Sequence, residues 1–259
     1  MAYSDGELGS IQSEAVALLE DVGYTYETLN AKELRSFARA FERQFILAYP
    51  EREIIDLYRR HVVEIMAGAL VAKKQMSAEV DGEQPGSGKV GGPIPIRAAY
   101  MGVGDDWDDL GATGTFTAGS VRNWIHSGTT LMAGTAGNAV KVGENQVTVV
   151  IAIGDRHPSP KVESAQFTID GKAKPILILS QAQQMPGDGL KLKELEKAYL
   201  FKEDMTVLAA IFGSSKGGTV TTLSCIPYLL GASYIKEDQL RVHDAASIPG
   251  TTPKVIMTT

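Results

Sequence analysis

The stretch DMTVLAAIFGSSKGGTVTTLSCIPYLL, residues 204–230, decides between two folds. A β-prone run leads into SSKGG, and the segment after the glycines sets the architecture. A phosphate-binding loop needs a strand before it and a helix after it, so that backbone N–H groups and the helix N-terminus converge on the phosphates. Here the glycines lead into TVTTLSCIPYLL, alternating and β-branched with a proline inside it, which reads as a second strand. Lys216-Gly217-Gly218 is then a hairpin turn between two strands.

The KGG run looks like the opening of the variant phosphate loop of partition-type ATPases. It departs from that pattern where the chemistry sits. Val220 stands in place of the loop glycine and Thr221 in place of the lysine that reaches the phosphates. No ATP binding is expected there.

Working outward, the chain after residue 95 is a series of short β-prone runs. IRAAYM, ATGTFT, SVRNWIHSG, NAVKV, QVTVVIAIG, KVESAQFTID and KPILILS precede the decisive stretch, and GASYIKED comes after it. Gly143-Glu144-Asn145 and Asp170-Gly171 punctuate them, the latter a strong hairpin signal. Only LKLKELEKAYLF, residues 190–201, reads as a helix among them, introduced by the MPGDG turn. This spacing predicts a mainly β domain over 96–259, an antiparallel β-sandwich of jelly-roll type.

Residues 1–79 read instead as helix. Asn30 and Glu33 form a capping box that opens AKELRSFARAFERQFILAY, which Pro50 ends. Leu34, Phe37, Phe41 and Phe45 recur at helical steps with Leu47 at the end of the stripe, and in the next segment Ile54, Tyr58, Val62, Ile65, Met66 and Ala69 share one side. Glu51, Arg52, Arg59, Arg60 and Lys73 supply a solvated face, and SEAVALLEDV adds a shorter helix before both. Residues 80–95, VDGEQPGSGKVGGPIP, read as a Gly/Pro-rich linker. The expected organisation is a helical N-terminal arm (1–79), a linker (80–95) and an independently stable β core, with the arm ordering only by docking.

Composition narrows the function. A net charge of −6 argues against a general grip on nucleic acid. One cysteine, Cys225, excludes an internal disulfide, and the four histidines (His61, His126, His157, His243) lack metal-ligand spacing. Cys225 with His243 is a formal nucleophile pair, but a buried small hydrophobe is the plainer reading. DRHPSPK, residues 155–161, reads as a stiff loop, and Trp124 and His126 as structural residues of a strand. The N-terminus reads as lacking a secretory signal, and the longest apolar runs are too short for a membrane span. No motif of nucleophilic, metal-dependent or nucleotide chemistry stands out, so no enzyme activity and no cofactor are expected.

One candidate site remains. GDDWDDLG, residues 104–111, places Asp105, Asp106, Asp108 and Asp109 around Trp107. Such oxygen-rich loops hold Ca²⁺ or Mg²⁺ when alternate carboxylates converge. A solvated acidic turn and an acidic subunit contact are the competing readings.

The helical arm, the hinge and the strand series QVTVVIAIG, KVESAQFTIDGKAKPILIL and DMTVLAAIFGSSKGGTVTTLSCIPYLLGASYI resemble together the jelly-roll major capsid proteins of icosahedral viruses. The resemblance implies a self-assembling shell subunit of a virion, made in a host cytoplasm. Its partners would be copies of itself and other virion proteins, without sequence-specific nucleic-acid contact or a membrane span. The arm carries 13 Asp/Glu against 9 Lys/Arg over residues 1–80, so it would contact protein rather than genome. The tailed-phage capsid fold, an α+β architecture with a long spine helix in its body, is the alternative within that function. A β-sandwich ligand-binding head of fibre or adhesin type, with Tyr100 and Trp107 as its aromatic candidates, is the alternative outside it.

Overall fold

The structure, a computed structural model, describes residues 3–81, 89–96, 121–125, 139–143, 145–155, 162–179, 192–213 and 227–236. Four α-helices come first: α1 (Asp5–Asp21), α2 (Ala31–Phe41), α3 (Arg52–Arg60) and α4 (Val62–Met76). A π-helical turn, Glu42–Ile46, continues α2. The strands are β1 (Val80–Asp81), β2 (Val90–Pro95), β3 (Val121–Ile125), β4 (Val140–Lys141), β5 (Gln146–Asp155), β6 (Val162–Ile169), β7 (Lys172–Ala173), β8 (Leu177–Ile178), β9 (Leu192–Phe201), β10 (Thr206–Gly213) and β11 (Pro227–Lys236).

They form two sheets. Sheet A has the order β1-β2-β11-β5-β9; sheet B has β3-β10-β6-β7, with β4 pairing β10 and β8 pairing β6. All pairings among the described residues are antiparallel except β1 with β2.

Sheet A is covered on both faces, and β5 shows how. Val147, Val149, Ile151 and Ala152 pack with the helices, whereas Val150 and Ile153 pack with sheet B. The alternation changes parity at Ile151, where the pairing of β5 with both β11 and β9 shifts register. That bulge turns two consecutive residues to the helical side. The continuous apolar run VTVVIAI is what a strand buried on both faces requires. The layers are therefore helices, sheet A and sheet B, with one core on each side of sheet A.

This corrects the mainly β expectation: the fold is mixed α and β, and the helices are one of its layers. The apolar stripes identified in the sequence face inward except at Leu47, which is exposed: Phe37, Phe41, Phe45, Ile54, Tyr58, Val62, Ile65, Met66 and Ala69 are all buried, and Leu34 is partly buried against them. What they meet is the chain's own sheet: α4 packs on β11, β5 and β2, while α2 lies over β1 and β2. Gly68 of α4 permits the close approach, since a Cβ there would stand 2.5 Å from Val149 Cγ2 and 2.9 Å from Tyr234 Cε2. Across the same interface Tyr234 donates a hydrogen bond to the Ile65 carbonyl at 2.7 Å, and Tyr58 exchanges hydrogen bonds with both backbone groups of Gly231 at 3.2 and 3.3 Å.

Within the segment read as a linker, Val90–Pro95 is a strand paired with β11. The second correction concerns LKLKELEKAYLF. Leu192–Phe201 is not a helix but the edge strand of sheet A, with Leu195 and Phe201 buried against sheet B and Ala198 and Leu200 packed toward the helices. Leu, Lys, Glu and Ala favour a helix when isolated, but pairing with β5 overrides propensity, and charged side chains are common on edge strands.

Two local expectations hold in detail. Asn30 caps α2 in a reciprocal box with Glu33. Asp170 (φ 49°) and Gly171 (φ 71°) form a two-residue turn between β6 and β7, with Ile169 opposite Lys172.

Candidate functional site

Charged groups meet inside the helical layer at two places. The first builds on the capping box. Glu33, only 2% exposed, accepts from the Asn30 backbone N–H at 2.7 Å and from Lys73 Nζ at 2.8 Å through one oxygen. Its other oxygen accepts from the Val80 N–H at 3.3 Å. Lys73 also donates to the Thr28 carbonyl at 3.1 Å. One carboxylate thus ties α2, α4 and β1 together. These bonds join three elements of the fold around one buried carboxylate, which makes this a structural node.

The second lies where α3 gives way to α4 and faces β9. His61 sits in the break between the helices, its backbone (φ −100°, ψ 18°) outside the helical region, yet its side chain is buried. Its Nδ1 lies 3.2 Å from Glu64 Oε1 and its Nε2 lies 3.0 Å from Glu194 Oε1. Arg60 grips the same Glu194 with both ends of its fork, at 3.2 Å to Oε1 and 2.6 Å to Oε2. Spacing explains the first contact, because His61 immediately precedes α4 and Glu64 stands three residues on, in its first turn. The contact with Glu194 spans 133 residues and depends on β9 being a strand.

Electrostatics follow from this arrangement. Burial opposes a charge on His61, but the hydrogen bonds and charges of Glu64 and then Glu194 outweigh it, and its pKa is raised. The hydrogen bond from Arg60 holds the Glu194 carboxyl below its ordinary value, with His61 adding to the effect. With each ring nitrogen facing a carboxylate oxygen, His61 presents neither nitrogen to a substrate or a metal ion. Glu64 and Glu194 bind opposite ring nitrogens, so the three side chains do not converge on one point. Among the described residues, no group of three or more His, Cys, Asp or Glu is placed to hold a metal ion.

The acidic loop with Asp105, Asp106, Asp108 and Asp109 lies outside the described residues, as do the KGG turn, Cys225, His126, His157, His243, Tyr100 and Trp107. Trp124 falls in β3, where only the backbone is described. Sequence reading missed the His61 cluster. His-x-x-Glu is a usable signal, but Arg60 reads as a solvated residue and Glu194 as part of a helix. Among the described residues, no helix is long and apolar enough to cross a membrane. No protein-family model matches this chain, and no curated protein matches it.

Proposed function

We propose that this chain is the repeating subunit of a self-assembling shell, a major capsid protein of a virion. The observation that favours it is a body with its own two cores that still leaves large apolar side chains at its margins. Leu47, at the end of the π-helical turn, is 75% exposed, and Ile176, just before β8, and Ile178, within it, are 55% and 43% exposed at the margin of sheet B. Side chains of this kind on a rigid sheet-based body suit contacts repeated between copies. Such contacts are made with other copies and other virion proteins, without enzymatic chemistry or a cofactor. The acidic helical region favours protein over genome as its neighbour. Within this function, a helix buried in the body favours the tailed-phage type of subunit over the jelly roll, since α4 packs directly on sheet A.

Light scattering and negative-stain microscopy of the purified full-length chain test the reading. Closed particles of uniform size are expected. A monomer at every concentration and salt would overturn it, and small discrete oligomers would favour the ligand-binding head instead.

A further inference from the structure

We propose that the junction of α3, α4 and β9 is a proton-controlled latch: a doubly protonated His61 tightens the hold of the helical layer on the edge strand of sheet A, and loss of one proton loosens it to what Arg60 alone provides at Glu194.

The geometry carries this inference. A carboxylate can only accept hydrogen bonds, and each ring nitrogen of His61 lies at hydrogen-bond distance from a carboxylate oxygen. Both contacts are satisfied together only when both nitrogens carry hydrogen. A neutral imidazole keeps one N–H and turns a lone pair toward the other carboxylate, so one bond becomes a repulsion between acceptors. The charged groups facing His61 among the described residues are Glu64 from α4 and Glu194 from β9. Arg60 of α3 stands beyond Glu194, and Asp56 acts on Arg60 from one turn earlier. With His61 charged, His61, Arg60, Glu64 and Glu194 form a neutral set. Without that charge the set is one negative charge in excess at a side chain only 7% exposed.

The element being clamped suits a latch. Among the described residues, β9 is the outermost strand of sheet A on its side and pairs only with β5. Its pairing is interrupted: Ala152 faces Glu194 and Val150 faces Tyr199, so four residues of β9 stand opposite Ile151. Glu194 lies just before that interruption and takes the bonds of both Arg60 and His61. The direction comes from the raised pKa of His61. Its contribution is complete below the ordinary imidazole value, about 6.5, and is lost as pH rises through the higher folded value. The latch is closed below the ordinary imidazole value and loosens as pH rises through the higher value that His61 has in the folded chain.

Histidine C2-hydrogen exchange read by mass spectrometry on the full chain gives the titration point of each histidine, and amide exchange of peptides covering 57–66 and 192–201 reads the latch. His61 should titrate above the ordinary imidazole value. Both peptides should lose protection over that same pH range, relative to peptides from β6 and β10. In Glu194→Gln, titration of His61 should fall toward the ordinary value, and in His61→Gln the pH-dependent step should vanish. If His61→Gln does not fold, Glu194→Gln alone carries the test, because Glu194 is partly exposed. Titration of His61 at or below the ordinary value overturns the proposal, as does protection of 192–201 that ignores pH.

Discussion

The two cores on either side of sheet A are built differently. Between the helices and sheet A, polar atoms are buried at named points: Glu33 with Lys73, Tyr234 on the Ile65 carbonyl, Tyr58 on Gly231. Between the sheets the core is aliphatic and aromatic, with Phe167, Phe201, Ile153 and Ile211 at its centre. Among the described residues, its buried polar side chains are a hydroxyl pair, Thr148 with Ser233 at 3.1 Å. A sheet closes its hydrogen bonds laterally and can meet a second sheet with side chains alone. Helices approached by a sheet need directional bonds to fix their position, because an apolar stripe alone tolerates sliding and rotation. The difference teaches that the helices share a core with sheet A and are fixed on it by directional bonds.

The largest expected effect tests that point. Deleting residues 1–88 would uncover the helical face of sheet A, including Val147, Val149, Ile151, Leu230, Ala232 and Tyr234, all buried. Such a contiguous apolar face is a liability for aggregation. The shortened chain should lose its cooperative thermal transition and collect in the insoluble fraction. A soluble, β-rich, cooperatively melting product would show that sheets A and B suffice.

Gly231→Ala comes next. Gly231 has φ 153°, a conformation that residues with a Cβ rarely adopt, and a Cβ there would collide with the Val149 carbonyl and lie 2.9 Å from Ile96 Cδ1. Backbone strain and overpacking together should cost about 3–6 kcal/mol in denaturant unfolding. The effect would be felt in both cores, because β11 lies between them. A loss below about 1 kcal/mol would mean that β11 shifts easily, and the close three-layer packing would have to be abandoned.

Glu33→Gln separates the cores. It takes from Lys73, whose side chain is 12% exposed, the nearer of its two carboxylates, leaving Glu27 at 3.6 Å, and it weakens the cap of α2. The expected loss is about 2–4 kcal/mol by denaturant unfolding, with α2 and β1 losing amide protection before β6 and β10. Equal loss of protection in both regions would indicate one cooperative unit in place of two layers with separate weak points.

Legibility in the sequence tracks the range of the interactions. The Asn30–Glu33 box, the Phe37-Phe41-Phe45 stripe and the Asp170-Gly171 turn depend on neighbours within four residues, and all three are readable. The box of Ser4 and Glu7 carries the same signal and starts α1 at Asp5, eight residues before the helix read from SEAVALLEDV. The strand nature of 192–201 depends on β5 about fifty residues earlier, and local propensity points the other way. QVTVVIAIG reads as a strand and is one, but a run buried on both faces fits a sheet covered by helices as well as one inside a sandwich. The third layer is therefore hidden. The His61 cluster is half visible: His61 and Glu64 are close in sequence, while Glu194 enters only through the fold.

The smallest effect belongs to the hydroxyl pair. Thr148 and Ser233 are directly opposite in the β5–β11 register and almost wholly buried. They share the parity of Val150 and Leu229, which pack into the core between the sheets. Removing one hydroxyl strands the other away from water, whereas removing both leaves nothing unsatisfied. Ser233→Ala and Thr148→Val should each cost about 1–2 kcal/mol, and the double variant should cost less than the sum, approaching neutrality. The opposite holds for the charged pair of the other core, where Lys73→Met added to Glu33→Gln would still leave the Asn30 and Val80 N–H groups short of a carboxylate. If the Thr148–Ser233 cycle is strictly additive, the two hydroxyls are not each other's partners. The core between the sheets would then need another account of how it buries them.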